Sequence, residues 1–469
     1  METAWRPARL FSTAGLKGNS EREGRATSTL LAVLQAVPEL AYAFLRPLGA
    51  PKGRVQTFTE VRLQDAEDAL AIPDGAVIVD RGKTRWGALV EVKTGRDRLD
   101  TDKLEQYLDH ARELGLGGVL TVTNDITANP TCAPVSLGVR KLKGLCLWHH
   151  SWWSIVTEAR LLLDGGEVAD PLARWLVGEL IAYLSEPASG IESFRDVGGR
   201  SWVPARDAIR HRTLRAGNRE AADVAAGWLR FNDYLALEFT QDVGERVTVV
   251  RPRNTDEECL LKDARAELAD EGTLTSRLSV PDAVSDLEIK ADLRAQQVAV
   301  SAAIGAPREG RPSARINWLL RQLKDAPAQL RIDVAFANTR ETTSALLSDA
   351  VQKPSLLVSS VDAKREPRRF VLTQLFPMGT KRGRGPGTFV DETHAAAAAF
   401  YRDVLQRLRS WQAKAPKLAE EPAPEEQIVS DAELTEEPVT VPEHNGVLPP
   451  GFKVAPGVKV NPDGSIDLC

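Results

Sequence analysis

Apolar residues in the first 165 positions follow two spacings. Leu30, Leu34, Val37 and Ala41 are separated by three or four positions, which places them on one face of an α-helix. Short runs rich in β-branched residues follow, with another helical stripe among them. The predicted strands are 55–63, 76–80, 86–93, 119–123 and 145–149, and the predicted helix is 101–114. This order of helix, meander, helix and two strands predicts a mixed sheet flanked by helices.

The pattern changes twice farther along the chain. Residues 166–270 show mainly helical spacing. Residues 287–304 then alternate apolar and polar, which predicts two paired strands, and they precede a helix capped by Ser313 and a strand at 331–336. We therefore predict an α/β fold class with an N-terminal mixed-sheet domain, a mainly helical segment and an α+β second domain, at 1–165, 166–270 and 271–411.

The last part of the chain, residues 412–469, is rich in Ala, Pro and Glu and then in Pro, Gly and Val. Such a composition buries too little apolar surface to offset the entropy of ordering, so we predict a disordered acidic tail. Eight Asp and Glu residues lie between positions 420 and 437, in a chain whose formal net charge is -5. The remaining chain is close to neutral or slightly basic, so its charge does not exclude a nucleic-acid partner.

Cysteine usage and hydropathy indicate the compartment. The four cysteines lie far apart and form no CxxC pair, which supports neither a zinc knuckle nor a disulfide framework. The N-terminus lacks a basic segment followed by an apolar one, and no run of 18 uncharged apolar residues occurs. We therefore expect a cytoplasmic protein with no membrane association.

The residues that carry chemistry lie around the predicted hairpin of strands 76–80 and 86–93. Residues two apart on a strand share a face, so Glu91 and Lys93 project together. Asp74 precedes Glu91 by 17 positions, enough for one strand, a short turn and a returning strand that brings the two carboxylates together. Mg²⁺ prefers carboxylate oxygens, so this arrangement predicts a metal site beside a lysine.

The same residues, Pro73-Asp74 and Glu91-Val92-Lys93, resemble the signature of the PD-(D/E)XK nuclease superfamily. The resemblance covers roughly residues 20–160 and implies a restriction-endonuclease-like mixed sheet. It also implies Mg²⁺ or Mn²⁺ held by Asp74, Glu91 and the Val92 carbonyl, with Lys93 orienting the attacking water or stabilising developing charge. The expected reaction is hydrolysis of DNA phosphodiester bonds.

Two further positions match features of that superfamily. Many relatives carry an acidic residue on the first helix that completes the site, and Glu23 lies seven positions before Leu30 on the apolar stripe. Relatives of the exonuclease branch carry a Gln-x-x-x-Tyr pair on the helix after the lysine. Here Tyr107 matches the tyrosine and Lys103 stands in place of the glutamine. The resemblance implies that Lys103 and Tyr107 bind substrate and that Glu23 is catalytic.

Other candidates receive structural interpretations. Asp282 and Glu288 repeat the pattern around Pro281 and Lys290, but six positions are too few for a hairpin that places both carboxylates together. Glu60 is interpreted as an exposed or structural carboxylate. His149 and His150 are adjacent on a strand and face opposite sides, so they are not predicted to share a metal. The basic runs 364–369 and 381–384 are typical of solvated surface, with phosphate contact as the alternative.

The sequence thus favours a Mg²⁺-dependent deoxyribonuclease of phage defence or DNA repair, whose second domain recruits or regulates. One alternative is a catalytically inactive nuclease fold that binds nucleic acid. Another is a scaffold that binds protein partners through the second domain or the tail. Dependence on a divalent metal distinguishes the nuclease from both.

Overall fold

A computed structural model describes residues 8–64, 70–131, 133–138, 140–253 and 255–412. The predicted disordered tail lies almost wholly outside the described residues, since only its first position, Gln412, is among them. Up to Gln412 the chain forms one compact unit by its internal contacts. The domain boundaries at residues 165 and 270 remain predictions.

The first half of the chain alternates helices with short strands. Its elements are α1 (Asn19–Ala36), α2 (Pro38–Leu45), β1 (Arg54–Thr59), β2 (Leu63–Gln64), β3 (Leu70–Ala71), β4 (Gly75–Arg81), β5 (Thr84–Val92), α3 (Thr101–Glu113), β6 (Gly118–Thr123), β7 (Cys146–Ser151), α4 (Trp152–Asp164) and α5 (Pro171–Ser185). Five of the strands form one sheet in the order β1-β4-β5-β6-β7. Pairing is antiparallel from β1 to β5 and parallel from β5 to β7. The predicted mixed sheet is therefore confirmed.

The predicted strand at 55–63 is wrong in its second half. β1 ends at Thr59 because Glu60 has a φ of 51°, a left-handed conformation that breaks the extended backbone. Leu63 and Gln64 then pair with β3 instead of continuing along β4. The chain turns at this point beside the start of β4, where Glu60 N donates to the Asp74 carbonyl.

The first apolar stripe, which predicted one helix, lies on two helices. Pro38 begins α2, and a proline pushes the preceding residue into the extended region, where Val37 has φ −121° and ψ 93°. α1 and the segment from Pro38 to Leu48 are bent by 111° at this break. Within the part of the chain that the structure describes, no single helix has the length and apolar character to cross a membrane, and only this bent pair meets that measure jointly.

Helices cover both faces of the first sheet. Val90 and Val92 of β5 point into a core shared with α1, α2, α4 and α5. Leu89 points the other way, into a smaller core under α3 that includes Leu104 and Leu108. Glu91, two residues from Leu89, shares the face that α3 covers.

The second half carries a larger sheet. Its elements are α6 (Trp202–Arg210), α7 (Arg219–Val243), β8 (Thr248–Val249), α8 (Glu257–Asp270), β9 (Thr273–Ser279), β10 (Leu287–Asp292), β11 (Gln297–Gly305), α9 (Pro312–Gln322), β12 (Arg331–Phe336), β13 (Thr342–Leu346), α10 (Leu347–Gln352), β14 (Pro367–Pro377) and α11 (Phe389–Asp403). Seven strands pair antiparallel in the order β13-β12-β14-β11-β10-β9-β8. The predicted strand pair at 287–304 and the strand at 331–336 are confirmed as β10, β11 and β12. Ser313 does not cap α9, because the helix already begins at Pro312 after Arg311.

Candidate active site

The β4–β5 hairpin places Asp74 beside Glu91. The last residue pair of the two strands is Gly75 with Val90. Asp74 therefore lies one position beyond that pair, opposite Glu91. The Asp74 carboxylate accepts a hydrogen bond from the Val92 backbone N–H at 2.7 Å. The predicted turn between the two strands is the local feature that produces this arrangement.

Lys93 reaches back over the end of β5. Its Nζ lies 2.8 Å from Glu91 Oε1 and donates to the Val92 carbonyl at 2.9 Å. The backbone N–H of Lys93 donates to the Val122 carbonyl on β6, which continues the parallel pairing past the last residue of β5. Glu91 is only 3% exposed, so its carboxylate is buried against the ammonium of Lys93.

Glu23 approaches from α1. Glu23 Oε2 accepts from Lys93 Nζ at 3.4 Å, and Glu23 Oε1 accepts from the Thr94 backbone N–H at 3.3 Å. α1 is held against the sheet by its apolar face, which includes Leu30 and Leu34. The structure thus brings together Glu23, Asp74, Glu91 and Lys93, although 70 residues separate Glu23 from Lys93.

Burial and neighbouring charges shift the pKa values of the acids and of the lysine at this site. Burial raises the pKa of Glu91 to about 7, and the nearby charge of Asp74 adds to the rise while Lys93 opposes it. Burial likewise raises the pKa of Glu23 above its ordinary value. Burial acts to lower the pKa of Lys93, but the hydrogen bond and charge of Glu91 outweigh it, so the net shift is upward and the ammonium stays charged. Burial thus disfavours the charged forms of Glu91 and Glu23, and a cation bound beside them would favour those charged forms.

The structure places both predicted substrate-binding residues on α3. The Tyr107 hydroxyl donates to the Ile72 carbonyl at 3.1 Å, just before Pro73 and Asp74. Burial raises the pKa of Tyr107, and the charges of Glu91 and Asp74 raise it further. Lys103 is exposed in the first turn of α3, and its charge helps to lower the pKa of Glu91. Both side chains border the site, and their substrate-binding roles remain predictions.

The other carboxylate candidates lie elsewhere or point outward. Glu60 is exposed. Asp282 occupies a turn with φ 57°, while Glu288 pairs with Arg277 on the neighbouring strand. Lys290 pairs with Glu271 rather than with either acid. This second motif therefore forms no convergent site.

The adjacent histidines have separate structural partners. His149 contacts Thr121 Oγ1 and the Asp125 carbonyl, each at 2.9 Å. His150 contacts the Phe44 carbonyl at 3.0 Å and stacks on the Phe44 ring. Burial lowers the pKa of His149, and it lowers that of His150 to about 3. Both rings are neutral, have structural partners and lie on opposite faces of β7.

Three arginines of the two basic runs form ion pairs with carboxylates. Arg365 pairs with Glu341. Arg382 pairs with Asp196, and Arg384 pairs with Asp391. These three arginines thus pair with carboxylates outside the candidate site, and the interpretation of the runs as solvated surface stays a prediction.

Sequence reasoning missed the residues that hold the loop after Lys93. Asn124 Nδ2 donates to the carbonyls of Gly95 and Gly190, both at 3.0 Å, and its Oδ1 accepts from Glu192 N at 3.0 Å. Trp152 Nε1 donates to the Lys93 carbonyl at 2.9 Å. Asn124 directly follows the predicted strand 119–123, which pairs in parallel with β5, and functional side chains commonly lie at the carboxyl ends of parallel strands. Gly190 carries no comparable signal in the sequence.

The oxygens at this site suit a hard divalent cation. Mg²⁺ is usually held by one or two carboxylates, with waters and substrate phosphates completing its shell. Asp74, Glu91 and the Val92 carbonyl supply donors of that kind. In the described ranges no group of three or more His, Cys, Asp or Glu side chains is arranged to hold a metal. Here the oxygens of Glu23, Glu91 and Val92 converge on Lys93 Nζ instead, so a bound cation would compete with that ammonium for Glu91 and Val92.

Comparison of the chain with protein-family models, with curated proteins and with solved structures gives no match. The resemblance to the PD-(D/E)XK superfamily rests on the motif residues of the chain itself.

Proposed function

We propose that this chain is a Mg²⁺-dependent nuclease that hydrolyses phosphodiester bonds of DNA. The observation that carries the proposal is the meeting of Asp74, Glu91 and Lys93 at the end of the β4–β5 hairpin, with Glu23 added from α1. The bare motif also occurs at Asp282, where its members do not converge. Convergence therefore separates the candidate site from the chance pattern.

Each residue has a distinct part in this proposal. Asp74, Glu91 and the Val92 carbonyl hold the cation, which when bound offsets charge on the phosphoryl oxygens and lowers the pKa of a water. Lys93 orients the attacking water and stabilises the charge that develops on the phosphoryl group. Glu23 fixes the Lys93 ammonium and the backbone of Thr94. Tyr107 holds the Ile72 carbonyl and thereby the segment that leads into Asp74.

The proposed partner is DNA, reached across the exposed start of α3 at Lys103. Cytoplasmic phage defence or DNA repair is the setting that we propose for such an activity. The seven-stranded sheet and its helices are proposed to recruit or regulate through a protein partner.

One observation favours a second candidate, a nuclease fold that binds nucleic acid without cutting it. Lys93 Nζ already pairs with Glu91 and donates to the Val92 carbonyl. These two metal-ligand candidates therefore have a partner without a cation. A catalytically inactive fold of this kind needs no divalent metal. The two candidates therefore differ in a measurable property.

The test is a cleavage screen on single-stranded, double-stranded and branched DNA with Mg²⁺, with Mn²⁺ and with EDTA. We expect the purified chain to cut at least one substrate with either metal and none with EDTA. Asp74→Asn, which keeps the shape of the side chain but removes its charge, serves as the matched inactive protein. Binding without cutting under all metal conditions would support the second candidate and contradict the first.

A further inference from the structure

A cavity of about 450 Å³ lies between the two halves of the chain, and its lining does not include Asp74, Glu91 or Lys93. One wall comes from the end of α2, the end of β7 and the first turns of α4. The other wall comes from α7 and from the residues around β8. Small-molecule sites usually have volumes of roughly 300–1,000 Å³ and occur preferentially where domains meet. The cavity therefore has the size and the position of a ligand site.

The charged side chains of this cavity are mostly arginines. Three arginines and two carboxylates line it, namely Arg46, Arg246, Arg251, Glu158 and Asp233. The two histidines of the lining are neutral, because burial lowers the pKa of both His149 and His150. The lining thus carries one more positive than negative charge, which favours an anionic ligand. The planar guanidinium of arginine offers paired donors that match phosphate and carboxylate groups.

Both carboxylates of the cavity already have an arginine partner. Arg246 Nη2 donates to Glu158 Oε2 at 2.5 Å, and Arg251 Nη2 donates to Asp233 Oδ1. The hydrogen bonds found within the described ranges occupy only this one nitrogen of each guanidinium. Arg46 is absent from the ion pairs of the described residues, and its guanidinium lies 5.8 Å from the centre of the Tyr42 ring. The cavity therefore has guanidinium donors available for a further acceptor.

The pair of Arg251 with Asp233 lies largely out of solvent. Its side chains are 27% and 13% exposed, respectively. Burial raises the pKa of Asp233, although the charge and the hydrogen bond of Arg251 oppose the rise. A buried ion pair adds little net stability, because the loss of hydration offsets the attraction between the charges. Such a pair on the wall of a cavity is typical of a functional site.

The walls of the cavity are held together without a ligand. Gln241 Nε2 of α7 donates to Thr157 Oγ1 of α4 at 2.8 Å, which joins the two sides. Apolar side chains cover part of the lining, among them Ala43, Ala236 and Leu237. A preformed cavity with both a cationic and an apolar part suits an organic anion better than a bare inorganic ion.

We propose that this cavity binds a small organic anion, with its phosphate or carboxylate group beside Arg46, Arg246 and Arg251 and its uncharged part against the apolar lining. The proposal does not depend on the nuclease activity, because the cavity and the candidate active site share no residue. Phosphate and carboxylate have the same oxyanion chemistry towards arginine. The experiment therefore includes one probe of each kind.

The test measures binding to the full chain in EDTA by calorimetry and by the shift of the thermal midpoint. The charged probes are adenosine 5′-monophosphate and benzoate at millimolar concentration, and the uncharged counterparts are adenosine and benzyl alcohol. A ligand that binds only the folded chain raises its thermal midpoint. We expect at least one charged probe to bind the wild type and to bind more tightly than its uncharged counterpart.

Arg46→Gln tests the cationic part of the cavity. Arg46 is exposed, so this change removes a charge and leaves no buried carboxylate without a partner. A hydrogen bond to a charged group corresponds to about a 10- to 100-fold change in affinity, which is the loss expected for this variant. Arg160→Gln is the matched control, since Arg160 is an exposed arginine of α4 outside the lining.

Leu237→Trp tests whether the probe lies in this cavity. Arg46 and Arg246 also border a neighbouring cavity of about 900 Å³, whose lining includes Glu39, Glu167 and Glu245. Those carboxylates disfavour an anion there. Leu237 lines only the first cavity, so a larger side chain at this position should fill it and abolish binding. Circular dichroism verifies that the variant is folded.

The outcomes support or overturn the proposal as follows. Weaker binding of a charged probe by Arg46→Gln and by folded Leu237→Trp, with unchanged binding by Arg160→Gln, supports it. Tighter binding of the monophosphate then indicates a phosphate ligand, and tighter binding of benzoate indicates a carboxylate. The proposal is overturned if neither charged probe binds the wild type or if the uncharged counterparts bind equally well. Equal affinity of the wild type and Arg46→Gln also overturns it.

Discussion

The carboxylates of Glu23, Asp74 and Glu91 surround a single ammonium, that of Lys93, in a largely buried position. Of the three acids, Glu91 is the most informative, because its pKa is raised to about 7 by burial and by Asp74. A raised carboxyl pKa means that the folded protein favours the protonated acid more than the unfolded chain does. The contribution of Glu91 to stability is therefore fully present below its ordinary pKa of 4.5 and is lost as pH rises through about 7.

The stability of the metal-free protein is therefore predicted to fall as pH rises. Relative to Glu91→Gln, which cannot ionise, the wild type should lose free energy of unfolding between pH 4.5 and pH 8. The shift from 4.5 to about 7 corresponds to roughly 3 kcal/mol at 1.36 kcal/mol per unit. Urea denaturation in EDTA across this pH range measures it, with the exposed Glu39→Gln as control. A constant difference between wild type and Glu91→Gln at all pH values would contradict the burial argument.

Only some of the individual residues of the candidate site can be predicted from the sequence. Asp74, Glu91 and Lys93 lie on one hairpin, so residue spacing alone predicts that they meet. Glu23 is predicted from its place on a helical stripe together with the resemblance. Gly190 and Asn124 meet across 66 residues, and their contact depends on how α5 packs, which periodicity does not encode.

Elements follow the periodicity of the sequence except where proline or backbone conformation intervenes. α3, the hairpin strands β4 and β5 and the strand pair β10 and β11 have nearly the bounds that their apolar spacing indicates. Pro38 splits the first helix, and Glu60 ends β1 early. Pairing between distant strands, such as β11 with β14, could not be derived, because it is fixed by the packing of the whole second core.

Packing between elements gives a prediction at Gly227 in α7. A Cβ atom there would lie 1.3 Å from the Val197 carbonyl oxygen, so Gly227→Ala forces α7 away from the segment beside it. We expect a loss of roughly 3 kcal/mol in the free energy of unfolding, as for overpacked core positions. Chemical denaturation measures the change.

Gly178→Ala in α5 is the matched control for this substitution. Gly178 also lies inside a helix, but nothing lies within 4 Å of its Cβ position. Alanine there should stabilise by about 0.5–1 kcal/mol through helix propensity. Similar effects of the two substitutions would show that the close approach at Val197 does not constrain α7.

On the scale of the whole molecule, the chain up to Gln412 forms one compact unit that contains both sheets and the candidate site. Its fold class follows from the order of its elements, and the domain boundaries at residues 165 and 270 remain predictions. The α5 helix, which lies in the predicted helical segment at 166–270, packs into the same core as α1 and α4. Contacts of this kind join segments that composition and periodicity separate.

The acidic segment after Gln412 is predicted to be dispensable for this unit. Residues 413–469 contain few large apolar side chains, so their removal costs little buried area. The thermal midpoint of residues 1–412 should equal that of the full chain, which differential scanning calorimetry measures. A markedly lower midpoint for the shortened chain would show that the segment packs on the body.

If Lys93 and the two carboxylates of the hairpin form a nuclease centre, substitutions of these residues should separate DNA cleavage from metal binding. Cleavage of plasmid DNA and metal binding by calorimetry are measured for wild type, Lys93→Ala, Asp74→Ala and the control Lys83→Ala, an exposed lysine in the turn of the same hairpin. Lys93→Ala should keep metal binding and lose about 10²–10³ in cleavage rate, because one preorganised charge is removed. Asp74→Ala should lose both properties, and Lys83→Ala neither. Equal cleavage by wild type and Lys93→Ala would contradict the account.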